Sequence, residues 1–353
     1  MFYSFFYEKK YFNLKFILLF FFFLLFLLFF YLKFQNLDNN IVNVYTHRHY
    51  EIDQKIFDIF TKKTGIKVNV INANADELIH RLEVEGKNSP ADVLITVDAG
   101  RLERAKSKNL FQPVYIKTNS IPNHFRDSQF YWFGITYRSR IIVYSKDRVN
   151  LSDLSTYEDL SNSKWKGRVL MRSSENIYNQ SLLSSIIIHN GEDYAKKWAL
   201  SIVNNMARTP KGNDKDQIKA ISSGIGDVAV VNSYYVGKLI NSNLKEERNS
   251  VNLVSLLFPN QNNRGSHVNI SGVGLSLHSP NKKNGIKLMK FLLANEAQGL
   301  FSRSNFEYPV KSDIKWDPLL ESWGFFKLDS VDLSLIGKYN KKAVKIFDEV
   351  GWK

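Results

Sequence analysis

The chain has 353 residues, of which 44% are hydrophobic and 14% aromatic, so it can bury large cores and is too long for one ordinary core. Lys and Arg number 48 against 34 Asp and Glu, which gives a formal net charge of +14. Because cysteine is absent, disulfide bonds, thiolate metal sites, cysteine catalysis and lipid attachment through cysteine are excluded. The positive charge comes without an arginine-rich run, zinc-knuckle spacing or RNA-recognition signature, so we expect no nucleic acid partner.

Residues 1–40 have the features of an N-terminal membrane anchor or signal segment. Lys9, Lys10 and Lys15 precede an uninterrupted apolar run at 16–32, which is at the short limit for crossing a bilayer. The positive charges place the N-terminus inside and everything after the run outside. Residues 31–40 offer no small-x-small cleavage site, which favours an uncleaved anchor over a cleaved signal peptide; a buried core helix is the remaining alternative. We therefore expect a periplasmic or extracytoplasmic protein tethered to the inner membrane by residues 16–32.

From residue 41 onward, strand and helix patterns alternate. Strands are predicted at 41–45, 67–72 and 91–97, and helices at 53–64 and 76–85. This order argues for an α/β lobe with a parallel sheet, in which ligands bind beyond the carboxyl ends of the strands.

The following residues predict a second lobe and a return to the first. A short strand at 141–143 marks the crossing, and Tyr157 falls in a short predicted helix at 156–160. Further helices are predicted at 180–190, 192–205, 214–222, 284–294 and 297–303, and strands at 227–231 and 267–277. The predicted lobes are 41–137 with 268–310, and 138–267 with 311–353, joined by a hinge of two or more strands.

Four tyrosines lie in short polar motifs at three separate places. Tyr50 follows His49 in a loop after the first strand, Tyr178 starts a helix among polar residues, and Tyr234 and Tyr235 follow a buried strand. Each has an ordinary alternative: a lone loop tyrosine is usually a surface residue, and adjacent tyrosines in a strand point to opposite faces. A turn past the strand end, however, lets both side chains converge. Because a phenol has a pKa of about 10, few cations other than Fe³⁺ hold several tyrosines deprotonated.

Motifs in the same order and spacing resemble those of the ferric-iron-binding proteins of bacterial and cyanobacterial ABC importers. They include Asn-Val-Tyr-Thr-His-Arg-His-Tyr, Ala-Asp-Val-Leu-Ile-Thr-Val-Asp-Ala-Gly-Arg-Leu, Ser-Glu-Asn-Ile-Tyr-Asn-Gln-Ser and Val-Asn-Ser-Tyr-Tyr, and cover essentially everything after residue 40. The resemblance implies a two-lobed α/β clamp of the type II periplasmic-binding-protein kind, with the ligand in the cleft between the lobes. It also implies the metal ligands His49, Tyr50, Tyr178, Tyr234 and Tyr235, of which the histidine is the most variable in the family. The implied protein carries Fe³⁺, with Fe²⁺ left open, to the permease of an ABC transporter as a monomer.

Charge balance gives the nearby arginines a predicted role. Four phenolates around a trivalent ion leave a net charge near −1, and a desolvated charge needs a partner. Positions near the motifs make four arginines candidates for contacts around the ligands: Arg48, Arg138, Arg140 and Arg172. The alternative for each is a solvated surface charge.

Three other functions fit the sequence less well than iron binding. A protein of the same fold for an organic cation or an oxyanion would gain nothing from four tyrosines. An enzyme is not expected, since the sequence shows no defensible Ser-His-Asp order, no Gly-x-Ser-x-Gly and no phosphate-binding loop. An iron-linked protective role inside the cell conflicts with the exported N-terminus.

Overall fold

The computed structural model describes residues 16–27, 40–48, 50–117 and 120–353. Residues 16–27 form helix α1, whose apolar side chains are 44–70% exposed. Within these described ranges, no helix is both long enough and apolar enough to cross a membrane. Lys9, Lys10, Lys15 and the remainder of the predicted anchor, residues 28–32, lie outside the described residues, as does the predicted ligand His49.

The first lobe begins as the sequence predicts, with strands and helices in alternation. The parallel strands β1, β2 and β3 carry alternating or continuous apolar residues, and each helix between them buries one apolar face. Gly65 ends α2 in the left-handed conformation (φ 71°), and the Asn74 side chain caps α3. The elements are β1 (Ile41–Thr46), α2 (Glu51–Thr64), β2 (Lys67–Asn72), α3 (Ala75–Glu85), β3 (Val93–Val97), α4 (Ala99–Ser107) and β4 (Phe111–Gln112).

One long strand, β5 (Trp132–Ser145), connects the two lobes, although only a short strand at 141–143 was predicted. Its buried polar residues, including Arg138 and Arg140, obscure the apolar signal of a strand that is buried along almost its whole length. The first part of β5 pairs with strands of the first lobe, and the part from Arg140 onward pairs with strands of the second. A single backbone ladder therefore runs through the junction.

In the second lobe, the helices Ile177–Asn190 and Glu192–Asn205 pack around a separate hydrophobic cluster that contains Trp165, Trp198, Ile186 and Phe347, whereas the helices Asp214–Ser222 and Ser233–Ile240 join the larger core. The elements of this lobe are β6 (Val169–Leu170), α5 (Ile177–Asn190), α6 (Glu192–Asn205), α7 (Asp214–Ser222), β7 (Val228–Asn232), α8 (Ser233–Ile240), α9 (Lys245–Asn252) and β8 (Val254–Leu257). Alternate residues of β7 face opposite sides, so that Val228 and Val230 join the separate cluster whereas Ala229 and Val231 join the larger core.

The chain returns through β9 (Val268–Ser276), which pairs antiparallel with both β3 and β5. The three strands predicted to form a parallel sheet do pair in parallel, and the returning chain adds an antiparallel strand beside them. The remaining elements are α10 (Lys282–Leu292), α11 (Asn295–Asn305), β10 (Tyr308–Pro309), α12 (Pro318–Ser322) and α13 (Leu333–Val350). Helix α13 was not predicted; it packs on α4 of the first lobe and on α5 and α6 of the second.

The described strands form one ten-stranded mixed sheet with the central order β2-β1-β3-β9-β5-β7-β6. The architecture is the predicted α/β class with two lobes. The chain crosses the junction at β5 and again just before β9, where residues 327–329 run alongside and the Asp329 amide donates a backbone hydrogen bond of 2.9 Å to the Ser266 carbonyl. The exact lobe boundaries stay a prediction.

Candidate functional site

The four tyrosines of the sequence motifs all lie where a strand or loop enters a helix. Tyr50 is the N-cap residue of α2, shortly after β1. Tyr178 lies in the first turn of α5, whose N-terminus is capped by the side chain of Asn176. Tyr234 and Tyr235 lie in the first turn of α8, which begins directly after β7. A turn was predicted at this point, and a helix is found instead. Either way the two side chains are released from the opposite-facing arrangement that they would have in a strand.

These entry points bring the rings together from both lobes. The ring centroids of Tyr50 and Tyr234 are 6.4 Å apart, with the planes at 69°, and those of Tyr234 and Tyr235 are 4.2 Å apart. Tyr50, Tyr178 and Tyr235 line one cavity of about 570 Å³. Tyr234 lies behind them and is 1% exposed. The predicted tyrosines thus form one cluster.

Burial and mutual repulsion oppose ionisation of three of these phenols. Burial raises the pKa of Tyr50 and of Tyr234 well above the ordinary value of 10, and a negative charge on Tyr178 would raise each further. Burial, followed by Tyr178, also raises the pKa of Tyr235. The Tyr234 hydroxyl makes no hydrogen bond of good geometry within the described residues, although its closeness to Tyr235 lowers the pKa of that neighbour slightly. A cation of high charge is needed to hold several phenolates here.

The four predicted arginines lie against the tyrosine rings. The guanidinium carbon of Arg48 is 4.8 Å from the ring centroid of Tyr50. Three guanidinium groups face the ring of Tyr178, at distances of 5.4 Å for Arg138, 6.0 Å for Arg140 and 5.7 Å for Arg172. Arg48, Arg138 and Arg140 are each only 2% exposed, so they are not solvated surface charges.

Arg48 and Arg140 are held by buried polar partners, whereas within the described residues Arg138 is not. Arg48 forms ion pairs of 3.0 Å with both Asp53 and Glu307. Burial alone would raise the pKa of Glu307, but Arg48 and then Arg138 outweigh it and hold that pKa below its usual value.

On the second lobe, Arg140 donates to Asp214 at 3.1 Å and to Asn179 at 2.9 Å. Both terminal nitrogens of Arg138, by contrast, lack a hydrogen-bond partner among the described residues. Arg138 therefore keeps donor capacity beside the tyrosines.

Three further cations at the site were missed by the sequence reasoning: Arg101, Lys215 and Lys238 line the cavity with the residues above. The ammonium of Lys238 lies 4.0 Å from the ring centroid of Tyr50 and 5.3 Å from that of Tyr234. Burial lowers the pKa of Lys238 to about 8. Its position four residues after Tyr234 on α8, hence on the same helix face, was the available signal. Glu175 is the only acid that lines this cavity within the described residues.

The donor set points to a hard trivalent metal. No group of three or more His, Cys, Asp or Glu side chains in the described part of the chain could hold a metal ion. Zinc and calcium sites in proteins are built from such side chains. A cluster of phenolic oxygens surrounded by cations suits an ion that brings high charge of its own, because the surrounding cations offset the excess negative charge of the phenolates.

A two-lobed α/β fold with a polar cleft between the lobes is the architecture of a solute-binding protein. The chain belongs to the family of bacterial extracellular solute-binding proteins, whose sequence profile matches residues 88–327. It is 45% identical to Iron uptake protein A1 of Synechocystis sp. over 88% of this chain and 87% of the relative. It is 44% identical to Iron uptake protein A2 of the same organism, over 88% and 90% of the two chains.

Solved structures agree with these sequence relatives. A Trichodesmium protein in complex with iron and citrate ligands has a TM-score of 0.86 and 49% identity, with 89% of this chain and 100% of that chain covered. The ferric binding protein from Campylobacter jejuni has a TM-score of 0.85 and 42% identity, with 88% and 100% covered.

Proposed function

We propose that this protein is an extracytoplasmic ferric-iron-binding protein that delivers iron to the permease of an ABC transporter. Tyr50, Tyr178, Tyr234 and Tyr235 are the proposed iron ligands. His49, which lies outside the described residues, remains a predicted fifth ligand on the strength of the family resemblance. The function is that of a binding protein without catalysis, and the cargo is Fe³⁺.

The convergence of four tyrosines from two lobes carries this proposal. Iron bound between Tyr50 of the first lobe and the other three tyrosines of the second would hold the lobes together, because each side supplies ligands. Four phenolates and Fe³⁺ sum to −1, and the nearby Arg138, Arg172 and Lys238 offset that charge. A site for an organic cation would instead need acids, of which the cavity has one.

Attachment to the membrane is a further part of the proposal. The exposed Phe and Leu side chains of α1 continue into an apolar sequence up to residue 32. We expect this segment to hold the binding lobes at the outer face of the inner membrane, close to the permease. Fractionation of cells should leave the full chain in the membrane pellet at high salt, and removal of residues 1–40 should release it if the segment is the only tether.

Metal loading tests the proposal directly. The lobes without residues 1–40 should bind one ferric ion and become coloured, because a ferric–tyrosinate bond produces a broad charge-transfer band in the visible. Metal analysis gives the stoichiometry, and solution scattering should show compaction on loading. A colourless protein after exposure to buffered ferric ion would contradict the proposal and favour an organic or oxyanion solute.

A further inference from the structure

Asp98 is a buried carboxylate in an unusual backbone conformation at the carboxyl end of β3. Its side chain is fully buried, and its φ of 82° lies in a region that residues other than glycine rarely occupy. Among the described residues, no Lys, Arg or His lies within ion-pair distance of its carboxylate. A buried carboxyl group and a strained backbone both cost stability. Interactions with neighbouring residues must therefore stabilise Asp98 in this position.

Hydrogen bonds from three separate elements hold this carboxylate. Oδ1 accepts from the Gly100 amide at the start of α4, at 2.9 Å. Oδ2 accepts from Asn269 Nδ2 in the returning strand β9 at 2.8 Å, and from the Ser181 hydroxyl in α5 at 2.7 Å. Asp98 therefore ties the first lobe and the strand at the junction to a helix of the second lobe.

The helix that Asp98 holds is the one that carries Tyr178. Ser181 follows Tyr178 by three residues, which places the two side chains on neighbouring positions of the same helix surface. Asn179, between them, accepts a hydrogen bond from Arg140 at 2.9 Å and donates one to the Arg172 carbonyl at 2.8 Å. The first turns of α5 are thus fixed to the second lobe through Asn179 and to the first lobe through Ser181.

We propose that Asp98 is a positioning residue of the iron site, which acts through Ser181 to fix Tyr178 of the second lobe relative to Tyr50 of the first. Asp98 is not among the residues that line the cavity, so its proposed role is indirect. Its contribution is to keep α5 at the place where the Tyr178 oxygen completes the set of ligands. This inference rests on the proposed function, since it takes Tyr178 to be an iron ligand.

The first test removes the Ser181 hydroxyl. A hydrogen bond to a charged group is strong enough for Ser181→Ala to accelerate iron loss to a competing chelator by about tenfold. Amide exchange in the first turns of α5 should also quicken in the iron-free protein. Ser181→Thr keeps the hydroxyl and should restore both. The matched control is Ser184→Ala, since Ser184 is equally buried on the same helix but donates only to the Gln180 carbonyl within it.

A double-mutant cycle separates positioning from a general structural role. If Ser181 acts through Tyr178, then Ser181→Ala should weaken iron binding tenfold in the wild type but less than twofold once Tyr178→Phe is present. The visible band of Ser181→Ala should also move toward that of Tyr178→Phe. Equal losses in both backgrounds, or identical behaviour of Ser181→Ala and Ser184→Ala, would overturn the inference and leave the proposed function intact. Full iron affinity in Tyr178→Phe would instead overturn the ligand assignment, and with it this inference.

Discussion

Replacement of Tyr234 and Tyr235 by Phe removes two phenolic oxygens and keeps both rings. The pKa values of Tyr50, Tyr234 and Tyr235 are raised above 10, so at neutral pH these three phenols carry protons that iron must displace. The double variant should therefore release two fewer protons per iron bound. Each proton released changes the affinity tenfold per pH unit, so with two fewer protons released the affinity of the variant should fall about 100-fold less per unit of acidification than that of the wild type.

The iron-free variant should be at least as stable as the wild type. Swaps that conserve volume are usually tolerated, and the buried Tyr234 hydroxyl lacks a partner of good geometry, so its removal should add about 1 kcal/mol. The assays are proton release on loading in weakly buffered solution, the visible band, and urea unfolding of the iron-free protein. Tyr194→Phe is the control, because Tyr194 is 39% exposed on α6. A double variant that still binds iron, keeps its colour and releases the wild-type number of protons would refute the ligand assignment.

Two further predictions concern residues around the tyrosines. Tyr157→Phe should lower the free energy of unfolding, measured in urea, by about 1–3 kcal/mol. The reason is that the Tyr157 hydroxyl, at the junction of the lobes, donates to the Arg140 carbonyl and accepts from the His267 amide at 3.1 Å. A change within about ±0.5 kcal/mol would contradict this prediction. Lys238→Met should move the visible band to longer wavelength, since the ammonium lies 4.0 Å from the centroid of the Tyr50 ring and stabilises electrons on that phenolate more than on iron. An unmoved band would show that the Lys238 charge does not act on the Tyr50 phenolate. Because the pKa of Lys238 falls to about 8 on folding, the unfolded chain binds the extra proton between pH 8 and 10.5, so the iron-free wild type should gain stability over that window relative to Lys238→Met. If the stabilities of the two proteins changed in parallel with pH, the pKa of Lys238 would not be lowered on folding.

Elements whose position depends on neighbouring residues in the sequence were predicted correctly. Strand β2 and helices α6 and α7 lie at the predicted residues, and α5 ends as predicted, because apolar periodicity and flanking Gly and Asn residues mark these elements. The four tyrosines could be selected as candidates from the sequence because each lies in a short polar motif at the boundary of a predicted element. The resemblance to a known family then supplied their joint role.

Long-range contacts account for what the sequence did not predict. The length of β5 was not predicted because Arg138 and Arg140 are charged residues of a kind that usually lies at the surface, whereas both are buried in this strand. The reversed strand β9 inserts between β3 and β5, a pairing that no local pattern indicates. Tyr157 appeared to be an ordinary helical residue, whereas it precedes a short 3₁₀ helix and bonds across the junction. The contact of Ser181 with Asp98 likewise spans 83 residues.

The place of β9 in the first sheet has a consequence for how the chain emerges during synthesis. Val93 pairs with Leu275, so the centre of that sheet stays incomplete until the ribosome has made nearly all of the second lobe. At about 5–20 residues per second, this interval lasts about 10–40 s. Contacts so distant in sequence also fold slowly. For a chain exported as proposed above, this delay keeps the sheet of the first lobe incomplete while translocation begins.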